Sequence, residues 1–145
     1  MAYDPNNVFA KILRGELPSI KVYEDVDTLA FMDIMPSAEG HTLVIPKEPA
    51  ETLFELSNHA ASALMLTTQR VAMAVKGALA CPGVMLVQLN GAAAGQSVPH
   101  LHMHIVPRVE GLDLRLHGRA KADAEQLEHI AARIRQHLAP TSGSP

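Results

Sequence analysis

The stretch IKVYEDVDTLAFMDIMPSAEGHTLVIP, residues 20–46, decides the fold. Two partly alternating apolar runs, Ile20 to Glu24 and Thr28 to Ile34, are separated only by Asp25, Val26 and Asp27, which predicts a hairpin. Pro36 ends the second run, Ser37 to Gly40 make a turn, and His41 to Ile45 is β-rich and closed by Pro46, giving a third strand. Strands joined by such short turns are antiparallel, because a parallel pair needs a crossover of a dozen or more residues.

Working outward, residues 58–79 carry Ala60, Leu64, Val71, Val75 and Leu79 on one helical stripe, ended by Pro82 and Gly83. Val84 to Leu89 read as a fourth strand and NGAAAGQS, residues 90–97, as a loop of small residues. A fifth strand is expected from His100 to Val106, limited by Pro107. At the start, Asp4 before Pro5 reads as an N-cap for a short helix bearing Phe9, Ile12 and Leu13 and ending at Gly15. Towards the end, Asp123 with Gln126 three residues on opens a helix whose stripe is Leu127, Ile130, Ile134 and Leu138. The set predicts an α+β domain: a mainly antiparallel five-stranded sheet, one long helix, and shorter N- and C-terminal helices. One domain over residues 1–139 is expected, and the final residues 140–145 have the composition of a disordered tail.

Composition agrees with one globular domain: 145 residues with 48% hydrophobic content. Cys81 is the single cysteine, so no internal disulfide exists, and the N-terminus lacks a basic stretch followed by an apolar core. A cytoplasmic protein is expected. No apolar run approaches the roughly 18 residues of a membrane span, and a net charge of −3 argues against affinity built on phosphate-backbone contacts with nucleic acid.

Histidine stands out, with eight in the chain and three at His100, His102 and His104. On a strand these alternate residues would share one face about 6.6 Å apart, with Leu101, Met103 and Ile105 anchoring the other. Such a row suits metal binding, since imidazoles at i and i+2 can share an ion, or nucleophilic catalysis, since a largely neutral imidazole can attack phosphorus. An exposed strand with no task is the plain alternative. The preceding Gly95, Gln96 and Ser97 favour an anion: glycine lets backbone N–H groups turn to a ligand, and Gln and Ser add donors. His59, His129, His137 and His117 are read as solvated, and the methionines of the long helix as core or interface.

The segment GQSVPHLHMHIVPR, residues 95–108, resembles the signature of the histidine triad (HIT) family. Upstream FAKILRGELPSIKVYED, LAFMDIMP and GHTLVIPK are similar to family segments in the same order, so the likeness spans roughly residues 5–108. The resemblance implies a homodimeric nucleotide hydrolase or transferase that cleaves the α-phosphate bond of a purine nucleotide derivative, such as a nucleoside phosphoramidate, through a nucleotidyl-histidine intermediate. It implies His102 as nucleophile, His104 as a phosphate contact, His100 as an ordering residue and His41 as a fourth histidine in the chain of hydrogen bonds. Gly95, Gln96 and Ser97 match phosphate and leaving-group contacts, Asp33 the ribose ligand, Asn90 a polar group near ribose and phosphate, and Ile34, Phe9, Ile12 and Phe31 an apolar base pocket.

Some bacterial members carry a zinc site whose ligands here correspond to Asn7, Ala10 and Pro49, together with His100. Three of the four being lost, no metal and no cofactor are expected. Pro99 replaces a larger side chain and alters one wall of the site. The alternatives implied are a dinucleoside polyphosphate hydrolase, a nucleotide-binding regulatory protein with little turnover, and a metal-binding module.

Overall fold

Asp25 explains why the first two strands turn back on each other. Its Oδ1 accepts hydrogen bonds from the backbone N–H of Asp27 at 2.9 Å and of Thr28 at 2.8 Å, closing a tight turn between β1 (Lys21–Glu24) and β2 (Thr28–Met32). The structure is a computed structural model that describes residues 2–111, 118 and 120–139; the expected tail therefore lies outside the described residues, as does His117. β3 (Thr42–Pro46), β4 (Gly83–Gln88) and β5 (Met103–Arg108) complete one sheet in the order β1-β2-β3-β5-β4, every pair antiparallel.

α2 (Asn58–Leu79) occupies the expected residues, capped by the Ser57 side chain, which accepts from Ala60 N–H, and stopped by Ala80 in the left-handed conformation. α3 (Ala124–Gln136) starts at Asp123 as anticipated. α1 (Val8–Leu13) does not start at Asp4: its cap is Asn7, whose Oδ1 accepts from Ala10 N–H at 2.8 Å, while Asp4 and Pro5 belong to a preceding turn. The second strand stops at Met32 rather than Ile34, because Asp33 Oδ1 accepts from Met35 N–H and curls the chain away from its neighbour.

Strand alternation sorts the sheet into two faces. Ala30, Met32, Val44, Met103 and Ile105 point to the side covered by α2 and α3, where they join Val71, Val75, Leu127 and Ile134 in the larger apolar cluster. Leu29, Phe31, Leu43 and Ile45 point to the other side and pack with Phe9 of α1. His104 lies directly opposite Leu43, so it rises from this second face.

Candidate active site

The three histidines of the row are all buried: His100 is 0% exposed, and His102 and His104 are each 3% exposed. They do not share a strand. β5 begins at Met103, and only His104 is in the ladder. The sequence expectation fails here because Pro46 has no N–H to extend β3 in that direction, and its carbonyl is taken by the His100 ring instead of by backbone. Leu101 N–H turns to Ala50 C=O at 2.8 Å, so residues 100–102 run as an extended lead-in tied to the loop after β3. The rings nevertheless converge, His102 and His104 having centroids 4.9 Å apart, with Phe9 meeting His102 edge-on at 4.9 Å.

Backbone groups dictate where the protons sit on the neutral rings. A carbonyl only accepts, so the 2.7 Å contact of His102 Nδ1 with His100 C=O puts the hydrogen on Nδ1 and leaves a lone pair on Nε2. An N–H only donates, so Ser37 N–H, 3.0 Å from His41 Nδ1, makes that nitrogen an acceptor and leaves the hydrogen on Nε2. His41 Nε2–H then donates to His104 Nδ1 at 2.9 Å, which places the His104 hydrogen on Nε2. His102 and His104, side by side, thus expose opposite hydrogen-bonding characters at Nε2. Burial pushes the His100 imidazole from the usual 6.5 down to about 4, with the Pro46 carbonyl opposing the shift and His102 adding to it.

Asp33 follows β2 and brings its Oδ2 to 3.5 Å from His41 Nε2, with its side chain 16% exposed. The adjoining Ile34 is 51% exposed. The loop that carries them is held from outside by the C-terminal segment: Ala122 N–H donates to Ile34 C=O at 2.8 Å and Gly118 N–H to Met35 C=O at 3.1 Å. A Cβ on Gly118 would stand 2.1 Å from the Pro36 carbonyl oxygen, so only glycine fits. Phe9 and Phe31 pack edge-to-face 5.4 Å apart within the apolar cluster, and Ile12 lies partly buried against it.

The loop before the triad is shaped by its own side chains. Gln96 Nε2 donates to Glu51 C=O at 2.7 Å and to Val98 C=O at 2.9 Å, and its Oε1 accepts from Gly91 N–H at 2.7 Å. Its amide therefore folds the loop through backbone groups. Gly95, at φ +102°, makes the turn that follows. Asn90 Oδ1 accepts from Leu53 N–H and from Gln88 Nε2, fastening the loop to the segment after β3. Gly95 and Ser97 are exposed. Asn90, Gln96, Ser97 and Pro99 line a cleft of about 490 Å³ opposite Glu51, Thr52 and Glu55.

Among the described residues, Asp33, His41 and His104 bring three possible metal-ligand atoms within 4.8 Å of one another, an N, N, O set suited to a borderline divalent ion. The His41 and His104 rings are already joined by the Nε2–Nδ1 hydrogen bond. At the other end of the row, both ring nitrogens of His100 are engaged, by Tyr3 and Pro46, and Asn7 caps α1. Sequence reading missed Tyr3 and the Ser37 N–H. Tyr3 lies 97 residues from its partner, and a backbone donor leaves no mark in side-chain identity.

The chain has counterparts among known proteins: the HIT domain matches residues 14–111. The chain belongs to the HIT family. Its α+β fold and five-stranded sheet are those of HIT structures, as a crystal structure of a Hit-like protein involved in cell-cycle regulation from Bartonella henselae illustrates. That chain is 46% identical, with a TM-score of 0.89, over 95% of this chain and 100% of that one. Adenylylsulfatase HINT3 of Arabidopsis thaliana is 37% identical over 90% of this chain and 68% of its own length. Adenosine 5'-monophosphoramidase hnt1 of Schizosaccharomyces pombe is 38% identical over 70% of this chain and 73% of its own. Among the described residues of this HIT protein, no helix is long and apolar enough to cross a membrane.

Proposed function

We propose that this HIT protein is a nucleotide hydrolase or transferase that cleaves the bond from the α-phosphorus of a purine nucleotide derivative to its leaving group, with nucleoside phosphoramidates as the favoured class. The observation that carries the reading is the 2.7 Å bond from His102 Nδ1 to the His100 carbonyl, beside His104 with its hydrogen on Nε2. A ring so held presents a lone pair to phosphorus while its neighbour presents a donor to a phosphoryl oxygen. The relatives adenylylsulfatase HINT3 of Arabidopsis and adenosine 5'-monophosphoramidase hnt1 of fission yeast support the same class.

In the first step His102 Nε2 forms a P–N bond, and the leaving group departs with its bonding electrons and takes a proton from solvent on the open side where Ser97 stands. His104 Nε2–H stabilises the charge that gathers on the phosphoryl oxygens, with His41 behind it. Water then attacks phosphorus, the P–Nε2 bond breaks and returns its electrons to the ring, and a nucleoside monophosphate leaves as the water's proton passes to solvent. Asp33 accepts from the ribose hydroxyls, Ile34 and Ile12 flank the base with Phe9 and Phe31 beneath, and Gly95 offers backbone to phosphate while Gln96 and Asn90 keep the loop in shape.

Two copies form the working unit in this reading: Met65, Leu66 and Met73 on α2 are 52–68% exposed and Leu86 on the edge strand β4 is 46% exposed, an apolar set that a second copy would cover. The test compares adenosine phosphoramidate with diadenosine polyphosphate, using wild type and His102→Ala. Expected is faster cleavage of the phosphoramidate, a loss on the order of 10⁴-fold in the variant, and a nucleotidyl adduct trapped by mass spectrometry only in wild type. Preference for the dinucleotide would reassign the substrate; binding without turnover of either would overturn the catalytic reading.

A further inference from the structure

At the back of the histidine row, away from the face that His102 offers to phosphate, the first residues of the chain wrap around His100. Tyr3 Oη lies 2.5 Å from His100 Nδ1, and their rings meet edge-to-face at 5.6 Å. Asn7, 5% exposed, donates from Nδ2 to Tyr3 Oη at 2.9 Å and to Asp4 C=O at 2.7 Å, while its Oδ1 caps α1. Phe9 on the same helix touches both His100 and His102.

The direction of every bond in this chain is fixed from both ends. Pro46 C=O can only accept, so His100 carries its hydrogen on Nε2 and must accept at Nδ1. Asn7 Nδ2 can only donate, so the Tyr3 oxygen accepts from it and spends its one hydrogen on His100 Nδ1. The run is Asn7 to Tyr3 to His100 to Pro46, with no position open to reversal. The backbone carbonyl of that same His100 receives His102 Nδ1–H.

We propose that Tyr3 and Asn7 are positioning residues for the nucleophile: by locking the His100 ring they hold the carbonyl that keeps the hydrogen of His102 on Nδ1 and its lone pair on Nε2. The inference rests on the reading of His102 as nucleophile. Without the Tyr3 hydroxyl, His100 keeps a buried acceptor with no donor, which is unfavourable. Moving the hydrogen to Nδ1 exchanges that unpaired acceptor for an unpaired donor and sets the Nε2 lone pair against the Pro46 oxygen. Either response shifts residue 100, and a His102 ring that loses its carbonyl can carry the hydrogen on Nε2, the form that cannot attack. The opening residues thereby act on the chemistry without touching substrate.

Tyr3→Phe tests this in the full chain, since it keeps the ring contact and removes one oxygen. Long-range ¹H–¹⁵N spectra of the imidazoles, recorded without substrate, report the tautomer of each histidine. Expected in wild type are Nδ1–H at His102 and Nε2–H at His100; in Tyr3→Phe the His102 nitrogens move towards exchange between forms. With adenosine phosphoramidate, kcat falls about tenfold while KM stays within twofold. Asn7→Ser keeps a cap acceptor and drops the amide, and gives a smaller loss of the same kind. Wild-type kcat with unmoved His102 shifts in Tyr3→Phe overturns the inference, as does a loss of folded protein with no change of tautomer. His102→Ala separates the two readings: if it is inactive while Tyr3→Phe is unaltered, only this inference falls, and if it still turns over, the nucleophile reading falls and takes this one with it.

Discussion

The two faces of the sheet are held by different physics. On the helix side, Met32, Val44, Ile105, Val71 and Val75 touch without direction, each fully or nearly buried. On the histidine side a smaller apolar floor lies beneath rings whose contacts are hydrogen bonds to Ser37 N–H, Pro46 C=O and His100 C=O. Packing places atoms to within a rotamer, and methyl groups have no proton to misplace. A histidine has two nitrogens and one hydrogen, and only a partner of fixed sense decides between them. The helix face therefore supplies stability and the histidine face supplies a choice of tautomer.

That contrast can be broken from either side. Ile105→Ala, at 0% exposure on the helix face, should cost about 2–5 kcal/mol in urea unfolding and leave kcat per folded molecule within twofold. A fall in kcat at full folding would show that the two faces are coupled. Acid gives the next effect. His100 titrates near 4 in the folded chain against about 6.5 unfolded, so the unfolded chain binds the extra proton between these values. Its contribution is complete above pH 6.5 and is lost as pH falls to 4, on the order of 3 kcal/mol. His100→Gln cannot titrate and should flatten the stability profile across that window; an equal slope in both proteins would show that His100 is not the group responsible. The third test stays on the histidine face. His41→Leu leaves neither acceptor nor donor and so breaks the relay from Ser37 N–H to His104, and kcat per folded molecule should drop about 10²-fold. Unchanged turnover would remove His104's need for a directed partner.

Much of this was legible from residue order. The stripe from Ala60 to Leu79 needed only period and a closing Pro82 to place α2, and Asp25 announced its own turn. The triad was legible as a cluster and misread as geometry: alternation predicts a strand from His100, whereas Pro46 withholds the N–H that the ladder would need. Asp4 and Asn7 are both good caps by type, and the choice fell to Asn7 because its amide also reaches Tyr3 and the Asp4 carbonyl. Gln96 reads as a ligand in sequence, yet in space its three bonds go to backbone. Such preferences depend on groups distant in sequence or on main chain, which carries the same donor at every position but proline.

The clamp on the Asp33 loop has a consequence in time. Ile34 and Met35 receive their outer hydrogen bonds from Ala122 and Gly118, whereas Tyr3 and His41 are made long before. On the ribosome the triad is synthesised before the residues that brace the Asp33 loop. A nascent chain acquires that last support only when the residues leading into α3 emerge, so a chain cut short after β5 would lack both the brace on the Asp33 loop and the Leu127, Ile130 and Ile134 side chains that cover the sheet.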